Sequence, residues 1–256
     1  NATVFKVYGK QNATVEITAD TVVEIENNLT FTVTNSTPVV VTVNGVVITP
    51  VNGVYTFEAK AAGNYTIVAR SNETDEYFAG FDSAVFTVIK HNATVAIDVN
   101  ATYHVDEAFE IGITNDTVAV VTINGKNYTV AGGKVTVPAD ELPAGHYIVT
   151  ATIYESDKYV GNVTSKEFDI IKYDEEIASI TANDTVMFGN ETTITVTMAN
   201  VTDGTVIIEV NGVNYTVAIT NKVATLSVAL PDGKYNATAY FLGDYKHNAT
   251  KSVAVE

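Results

Sequence analysis

The chain has 256 residues, no cysteine, and 30 acidic against 14 basic residues, which gives a net charge of −16. The absence of cysteine excludes disulfide frameworks, thiol nucleophiles and cysteine-ligated metals. The negative charge disfavours nucleic acid as a partner, and without any run of 18 apolar residues we expect no membrane insertion of this region.

Residues 1–11 contain a phrase that returns twice later in the chain. Phe5-Lys-Val7-Tyr-Gly-Lys10 has the form of Phe86-Thr-Val88-Ile-Lys90 and of Phe168-Asp-Ile170-Ile-Lys172, with an extra Gly9. The two later phrases alternate apolar residues as a last strand does, and each is followed at once by new strand-like sequence. We therefore interpret residues 1–11 as the closing strand of a preceding domain or as a linker.

The rest of the chain carries two markers that repeat in phase. One is a β-branched run that ends in Asn-Gly, and the other is the phrase Gly-x-Tyr-x-x-x-Ala, whose tyrosines lie 82 and 88 residues apart. The Asn-Gly pairs are Asn44-Gly45, Asn124-Gly125 and Asn211-Gly212, and the second phrase begins at Gly63, Gly145 and Gly233. Two independent markers with one period predict three copies of one domain: a first repeat at 12–91, a second at 92–173 and a third at 174–256.

Each repeat reads as β-structure. Short β-branched and aromatic runs alternate with turn residues every eight to twelve positions, which is typical of a sandwich or barrel. In the runs before Asn-Gly, Val41 and Val43 alternate with Thr42, as expected of a half-buried strand that ends in a tight hairpin. Junctions such as Lys90-His91 contain no flexible Gly/Ser stretch. We predict an all-β protein of three tandem immunoglobulin-like β-sandwiches arranged end to end.

The Gly-x-Tyr phrase fits a known device of such sandwiches. A tyrosine that opens the penultimate strand can donate its hydroxyl to an upstream backbone carbonyl and fix the corner between the sheets. We assign this structural role to three tyrosines and to the glycines two residues before them: Tyr65, Tyr147 and Tyr235, with Gly63, Gly145 and Gly233.

Asn-x-Thr sequons are in excess. Seventeen occur, whereas 23 Asn and 45 Ser plus Thr in 256 residues give about four by chance. One interpretation is a strand-rich composition that places Thr on exposed faces and Asn in turns. The other is an exported glycoprotein of the cell surface, with possible glycosylation at sites such as Asn72, Asn162 and Asn190.

The sequence offers few groups for chemistry. The four histidines fall at unrelated places in the repeats, and no phosphate loop or HExxH motif occurs. We predict no enzyme activity, no cofactor and no metal, with Ca²⁺ at Asp174, Glu175 and Glu176 as the alternative to a solvated charge run. An internal isopeptide crosslink would need a buried lysine beside an acid, and the recurring Lys10, Lys90 and Lys172 lie in polar surroundings instead.

The phrases Leu142-Pro-Ala-Gly145-x-Tyr147, Leu230-Pro-Asp-Gly233-x-Tyr235 and Val186-Met-Phe-Gly189 resemble bacterial Ig-like domains of the group 3 type. Together with the Asn-Ala-Thr richness and the acidic balance, the chain is similar to adhesin-like surface proteins of methanogenic archaea. The first repeat departs from the pattern, with Ala61-Ala62 in place of Leu-Pro.

That resemblance implies an extracellular structural or adhesive stalk, monomeric as a fragment, whose partners are surface proteins or glycans of other cells. Two alternatives remain open. One is a ligand-binding module for a glycan or host protein, carried by aromatic residues near the last two strands, such as Tyr77, Phe78, Tyr154 and Tyr245. The other is an accessory region of a secreted enzyme.

Overall fold

A computed structural model describes residues 3–183, 185–252 and 254–255. Within these ranges all assigned elements are β-strands, and none of the described residues forms a helix long and apolar enough to cross a bilayer. The chain divides into two compact units. Unit 1 comprises Asn1–Val95, Asn115–Ala119 and Thr152–Val163, and unit 2 comprises Ala96–Thr114, Val120–Ala151 and Thr164–Glu256.

The first repeat contributes ten strands to the fold. They are β1 Gln11–Asn12, β2 Val15–Ala19, β3 Val22–Glu24, β4 Asn28–Asn35, β5 Val39–Val43, β6 Val46–Ile48, β7 Val54–Glu58, β8 Gly63–Ser71, β9 Tyr77–Phe78 and β10 Phe81–Ile89.

The second repeat has ten strands in the same order and of similar lengths. They are β11 His91–Asn92, β12 Val95–Asp98, β13 Thr102–His104, β14 Phe109–Asn115, β15 Val120–Ile123, β16 Lys126–Tyr128, β17 Lys134–Val137, β18 Gly145–Ile153, β19 Tyr159–Val160 and β20 Asn162–Ile171.

The third repeat has seven strands among the described residues. They are β21 Ile177–Ala182, β22 Glu191–Met198, β23 Asp203–Val210, β24 Val213–Thr220, β25 Val223–Ala229, β26 Ala237–Phe241 and β27 Thr250–Lys251.

The first two repeats share one topology. A three-stranded sheet runs β2-β4-β7 in the first repeat and β12-β14-β17 in the second. A five-stranded sheet runs β3-β10-β8-β5-β6 and β13-β20-β18-β15-β16, in which β3 and β13 pair in parallel with the last strand. The chain is therefore all-β, with immunoglobulin-like sandwiches in tandem along the sequence.

The third repeat is one continuous sheet, in the order β21-β22-β25-β24-β23-β26-β27. Its eight-residue β24 pairs along the whole of β23 and then meets β25 at Thr220 and Val223. The corresponding strands β6 and β16 stop after three residues, ahead of Pro50 in the first repeat and of Gly132-Gly133 in the second. Proline has no N–H to donate to a ladder, and paired glycines favour a turn, so these residues account for the break.

Each hairpin after a β-branched run closes through Asn-Gly as the sequence indicated. The φ angles are +46° and +83° at Asn44-Gly45, +44° and +83° at Asn124-Gly125, and +45° and +83° at Asn211-Gly212. Two successive positive φ angles define the tight turn whose twist matches the flanking strands.

Apolar residues from both faces fill the interior of the first repeat. Leu29, Phe31 and Tyr55 come from the three-stranded sheet, and Ile67 and Phe86 from the five-stranded one. In the third repeat the continuous sheet encloses its own core, which is centred on Ile194, Val196, Met198, Val206, Ile208 and Ala239. Apolar burial of this kind stabilises each core in the absence of disulfides.

Residues 3–10 form no strand and are exposed throughout. Gln11 and Asn12 then pair in parallel with Tyr77 and Phe78 of the first repeat. The interpretation of residues 1–11 as the closing strand of a preceding domain, and the repeat boundaries given above, stay predictions.

Candidate functional site

The three Gly-x-Tyr tyrosines make the same hydrogen bond. Tyr65 donates its hydroxyl to the carbonyl of Ala61 at 2.9 Å, Tyr147 to that of Pro143 at 2.8 Å, and Tyr235 to that of Pro231 at 3.1 Å. Each acceptor lies four residues upstream, so the ring closes the turn into the penultimate strand. Tyr147 is buried, and burial raises the pKa of its phenol.

Two of the three glycines that precede these tyrosines by two residues lie beside the rings. A Cβ built at Gly145 would lie 3.7 Å from the Tyr147 ring, and one at Gly233 would lie 3.4 Å from the Tyr235 ring. Gly63 instead has a φ of +147°, a conformation that side-chain-bearing residues rarely adopt. Backbone conformation therefore favours glycine at Gly63, whereas a Cβ at Gly145 or Gly233 would make only ordinary van der Waals contact with the ring.

A further set of residues, missed by the sequence reasoning, joins each hairpin to the neighbouring strand. The Oδ1 of Asn44 accepts from the N–H of Thr66 at 2.9 Å, that of Asn124 from Ile148 at 2.9 Å, and that of Asn211 from Asn236 at 3.2 Å. In each copy the backbone N–H of the asparagine also donates to the carbonyl of the same strand residue. The repeated Asn-Gly pair signalled the turn, but the cross-strand partner lies more than 20 residues away and has no sequence signature.

The junction between the first and second repeats lies within unit 1 and is held by several polar contacts. His91 and Asn92 pair in parallel with Tyr159 and Val160, and the His91 N–H donates to the Lys158 carbonyl at 2.9 Å. The Lys158 ammonium forms an ion pair with Glu26, at the positive-φ turn of the first repeat. This hydrogen bond lowers the pKa of the Glu26 carboxyl and raises that of the Lys158 amine.

Two more polar contacts flank the Glu26–Lys158 ion pair. Lys90 lies 2.6 Å from Glu155, which lowers the pKa of the Glu155 carboxyl, and the His91 Nδ1 lies 3.2 Å from Glu24. The His91 ring also packs on Tyr159 with centroids 5.6 Å apart.

The junction between the second and third repeats lies within unit 2 and repeats the arrangement with different residues. The Tyr173 N–H donates to the Lys246 carbonyl at 2.8 Å, and the Lys246 Nζ lies 2.7 Å from Asp106. Asp106 occupies the same positive-φ turn position as Glu26. We call the pairs Glu26–Lys158 and Asp106–Lys246 the junction clamps.

Tyr173 occupies the place of His91 in the second junction. Its ring stacks on His104 at 4.3 Å, and its hydroxyl donates to Glu107 at 3.1 Å. Desolvation by burial, together with the hydrogen bond to Glu107, raises the pKa of Tyr173 to about 12. The Lys172 ammonium donates to the carbonyl of Asp244. Lys10, Lys90 and Lys172 thus each bind an acceptor of the following repeat, at Glu73, Glu155 and Asp244.

The three acidic residues considered for Ca²⁺ have separate partners. Asp174 accepts from the Asn248 amide at 3.0 Å, and the buried Glu175 accepts from the Asn200 N–H at 2.9 Å. The backbone carbonyl of Glu176 accepts from the N–H of Ala199, while its side chain is exposed. Among the described residues, no group of three or more His, Cys, Asp or Glu side chains is placed to hold a metal ion.

The sequon asparagines lie at the surface. All 16 of those in the described ranges, including Asn72, Asn162 and Asn190, are exposed. The Asn162 Nδ2 also donates to the Ala93 carbonyl at 2.8 Å, so a glycan at Asn162 would have to share that nitrogen with a structural hydrogen bond.

No protein-family model and no curated protein matches the sequence. The solved structures that resemble it include tandem immunoglobulin domains. An E-to-A variant of three titin immunoglobulin domains aligns over 93% of this chain and 95% of that chain, with 12% identity and a TM-score of 0.44. Immunoglobulin domains of Sidekick-1 align over 94% of this chain and 58% of that chain, with 11% identity and a TM-score of 0.34. An ICAM-5 ectodomain fragment aligns over 93% and 74%, with 11% identity and a TM-score of 0.32. Because these sequence identities and TM-scores are low, the immunoglobulin-like assignment rests on the strand order described above.

Proposed function

We propose that this region is an extracellular, non-enzymatic spacer, or stalk, of a large adhesin-like cell-surface protein, built from Ig-like domains of the bacterial group 3 type as in methanogenic archaea. The observation that carries the proposal is the pair of junction clamps. At both junctions the carboxylate of a positive-φ turn pairs with a lysine of the next repeat. A short parallel strand pairing lies beside each ion pair, two residues long at the first junction and one residue long at the second.

A spacer needs junctions between repeats that keep their geometry, and it needs a surface that keeps the protein soluble. Ion pairs at exposed positions contribute little to overall stability, so their recurrence at equivalent places favours a role in joining repeats. The net charge of −16 and the exposed sequon asparagines suit an extracellular surface. Glycans at Asn72, Asn162 and Asn190 belong to the same proposal.

The clamps are tested by hydrogen exchange at the junction amides. Lys158→Ala should speed exchange of the His91 N–H, which donates to the Lys158 carbonyl, and should leave the Tyr173 N–H unchanged. Lys246→Ala should speed exchange of the Tyr173 N–H and leave the His91 N–H unchanged. The double variant Glu26→Lys with Lys158→Glu should restore protection at His91, and no effect of either single variant would contradict the role of the clamps.

Localisation is tested on intact cells of the source organism. Protease treatment of whole cells should release peptides from this region, and their mass should exceed that of the unmodified sequence at Asn-x-Thr sites. Retention of the whole region inside protected cells would refute the extracellular proposal.

One observation favours adhesion as a second function. The outer face of the five-stranded sheet in the first repeat carries exposed apolar side chains, with Val40 55% exposed, Val47 61% exposed and Val85 58% exposed. The same face of the second repeat carries polar groups at equivalent places, among them Asn127 and Glu167. An aliphatic face of this kind suits a protein surface better than a glycan.

Binding through that face is tested with two matched variants. Val47→Lys should weaken adhesion of the purified chain to cells or to immobilised surface proteins, whereas Asn127→Lys, at the equivalent place in the second repeat, should not. Equal adhesion of both variants would leave only the spacer function.

A further inference from the structure

The chain contains four Asn-Gly pairs, and one of them differs from the others in its contacts. Three pairs close the hairpins that follow the β-branched runs, as described above, and the fourth is Asn52-Gly53 in the first repeat. This fourth pair forms a further two-residue turn, in which Val51 and Val54 exchange backbone hydrogen bonds of 2.9 and 3.0 Å.

An Asn-Gly pair can lose the side-chain amide of its asparagine without any enzyme. The backbone nitrogen of the glycine attacks the Cγ of the asparagine, the side-chain nitrogen leaves as ammonia, and a cyclic imide (succinimide) forms. Water then opens this ring at either carbonyl, which gives aspartate or isoaspartate. One water is consumed and one ammonia is released, with no change of oxidation state. Glycine favours the attack because it has no Cβ to crowd the reacting nitrogen.

Neither local sequence nor turn geometry distinguishes Asn52 from two of the hairpin asparagines. Asn44, Asn52 and Asn211 each lie in the tetrapeptide Val-Asn-Gly-Val. Their φ angles are +46°, +52° and +45°, and those of the glycines that follow are +83°, +81° and +83°. All three asparagines are exposed. Intrinsic reactivity, backbone shape and access to water are therefore matched.

The side-chain contacts of these asparagines do differ. The Oδ1 of Asn44 accepts from the N–H of Thr66 at 2.9 Å. That of Asn211 accepts from the N–H of Asn236 at 3.2 Å. Because Oδ1 is bonded to the carbon that must be attacked, each bond holds that carbon toward the neighbouring strand, and its rupture leaves a strand N–H without a partner. The side chain of Asn52 makes no such bond within the described part of the chain.

We propose that Asn52-Gly53 is a deamidation site of the folded protein, at which Asn52 converts spontaneously to aspartate and isoaspartate. The hairpin asparagines are protected by their cross-strand hydrogen bonds. A single hydrogen bond changes a rate by a factor of roughly two to ten when it must be broken first. Asn52 reacts faster by that factor, and Asn211, with the longest of the three bonds, comes next.

The same turn in the other two repeats lacks the reactive pair. The second repeat has Gly132-Gly133 there, bridged on either side like Asn52-Gly53 but without a side-chain amide. The third repeat has Asn221-Lys222, in which the lysine side chain crowds the backbone nitrogen. At this turn the modification is therefore confined to the first repeat.

Conversion changes both the charge and the backbone of the turn. Each converted molecule gains one negative charge. Isoaspartate also routes the main chain through its side-chain carbon, so the turn becomes one carbon atom longer. The paired bonds between Val51 and Val54 cannot both be kept in a lengthened turn. Val54 is the first residue of β7 and pairs with Thr32 of β4, so the start of β7 opens, while the next residue, Tyr55, stays in the core.

The first test compares rates in the full chain, folded and in urea. The protein is incubated in mildly alkaline buffer made with heavy-oxygen water, and conversion is followed by peptide mapping and mass spectrometry. In the folded chain Asn52 should convert roughly two- to tenfold faster than Asn44. In urea the strands no longer hold the side chains, so Asn44, Asn52 and Asn211 should convert at equal rates.

Equal rates at Asn52 and Asn44 in the folded chain would overturn the proposal. A difference that persists unchanged in urea would also overturn it, because the fold would not be its cause.

The second test uses two variants of Asn52. Asn52→Gly copies the Gly-Gly turn of the second repeat and should abolish conversion at this turn while the hairpin asparagines react as before. Asn52→Asp supplies the charge without the extra backbone atom. The isoaspartate form of the aged protein should therefore exchange the Val54 N–H faster than Asn52→Asp does, and equal exchange in the two would refute the lengthened turn.

Discussion

The first two repeats and the third differ most at one turn. Ile25 and Val105 are buried beside a parallel strand, whereas Phe188, at the corresponding place, is exposed. Residues 22–25, 102–105 and 185–188 all contain β-branched or aromatic residues, so local propensity does not explain the difference. In the first two repeats a parallel strand pairs with this stretch and covers its side chains, and no such strand is assigned beside Phe188 within the described part of the third repeat.

The sheets differ in the opposite sense. The third repeat has the longer continuous sheet, because its return strand β24 runs for eight residues where β6 and β16 run for three.

The largest effect is expected from removing the closing-strand phenylalanine. Phe168→Ala should destabilise the second repeat by about 3 to 5 kcal/mol, since a fully buried ring would leave a cavity. The Val105 N–H should then exchange faster, because its acceptor is the carbonyl of Ile171 on the same strand as Phe168. Hydrogen exchange of core amides in the full chain measures both the loss of stability and the faster exchange at Val105. A cost below about 1 kcal/mol would show that the closing strand does not hold this edge.

A proline should divide the continuous sheet of the third repeat. Val217 aligns with Pro50 and pairs with Val206 in the β23–β24 ladder. Val217→Pro should cost about 1 to 3 kcal/mol, because it removes a ladder donor and leaves an acceptor without a partner. Pro50→Val in the first repeat is the control and should change stability by at most about 1 kcal/mol. Equal small effects would mean that the length of β24 is irrelevant to stability.

The corner tyrosines should differ between the second and third repeats. Tyr147→Phe removes a 2.8 Å hydrogen bond from a buried ring and should cost about 1 to 2 kcal/mol. Tyr235→Phe removes a 3.1 Å hydrogen bond from a half-buried ring, and its cost should be smaller. Urea titrations followed by repeat-specific NMR signals would compare them. Tyr154→Phe, at an exposed site, should have no effect.

A smaller effect is expected from pH. His146 lies 2.8 Å from Asp169 and 3.8 Å from Glu167, and chiefly the hydrogen bond to Asp169 raises the pKa of His146 above 6.5. A raised pKa means that protonation stabilises the fold. The contribution is complete below about pH 6.5 and is lost as pH rises through the raised value.

The first repeat has the neutral pair Asn64–Thr87 in the same place. From about pH 6 to about pH 8 the second repeat should therefore lose stability relative to the first. His146→Gln should abolish the difference, and a slope that survives this substitution would assign it to other groups.

Chelation should have no effect at either junction. The first junction has Asn92-Ala93-Thr94 where the second has Asp174-Glu175-Glu176, and two of those three carboxylates are bound to Asn248 and Asn200. EDTA should leave the melting temperature of the chain unchanged. A tightly bound ion would instead contribute about 2.7 kcal/mol at a hundredfold excess over Kd, and a shift of several degrees would restore the Ca²⁺ alternative.

The sequence by itself determined the all-β class and the hairpin turns, because those depend on local geometry. Alternating side chains define strands, and Asn-Gly supplies two positive φ angles within four residues. The phrase Gly-x-Tyr also indicated a hydroxyl with an acceptor just upstream, which lies four residues away in each copy.

Contacts between distant residues were decided only by the tertiary structure. The clamp Glu26–Lys158 joins residues 132 positions apart, and Asp106–Lys246 joins residues 140 positions apart. The sequence around Glu26 or Asp106 does not specify which lysine will pair with it. The pairing depends on how the folded strands bring the two loops together. Ile25 is likewise buried through a distant contact, because its N–H donates to Ile89 of a strand more than 60 residues later in the chain.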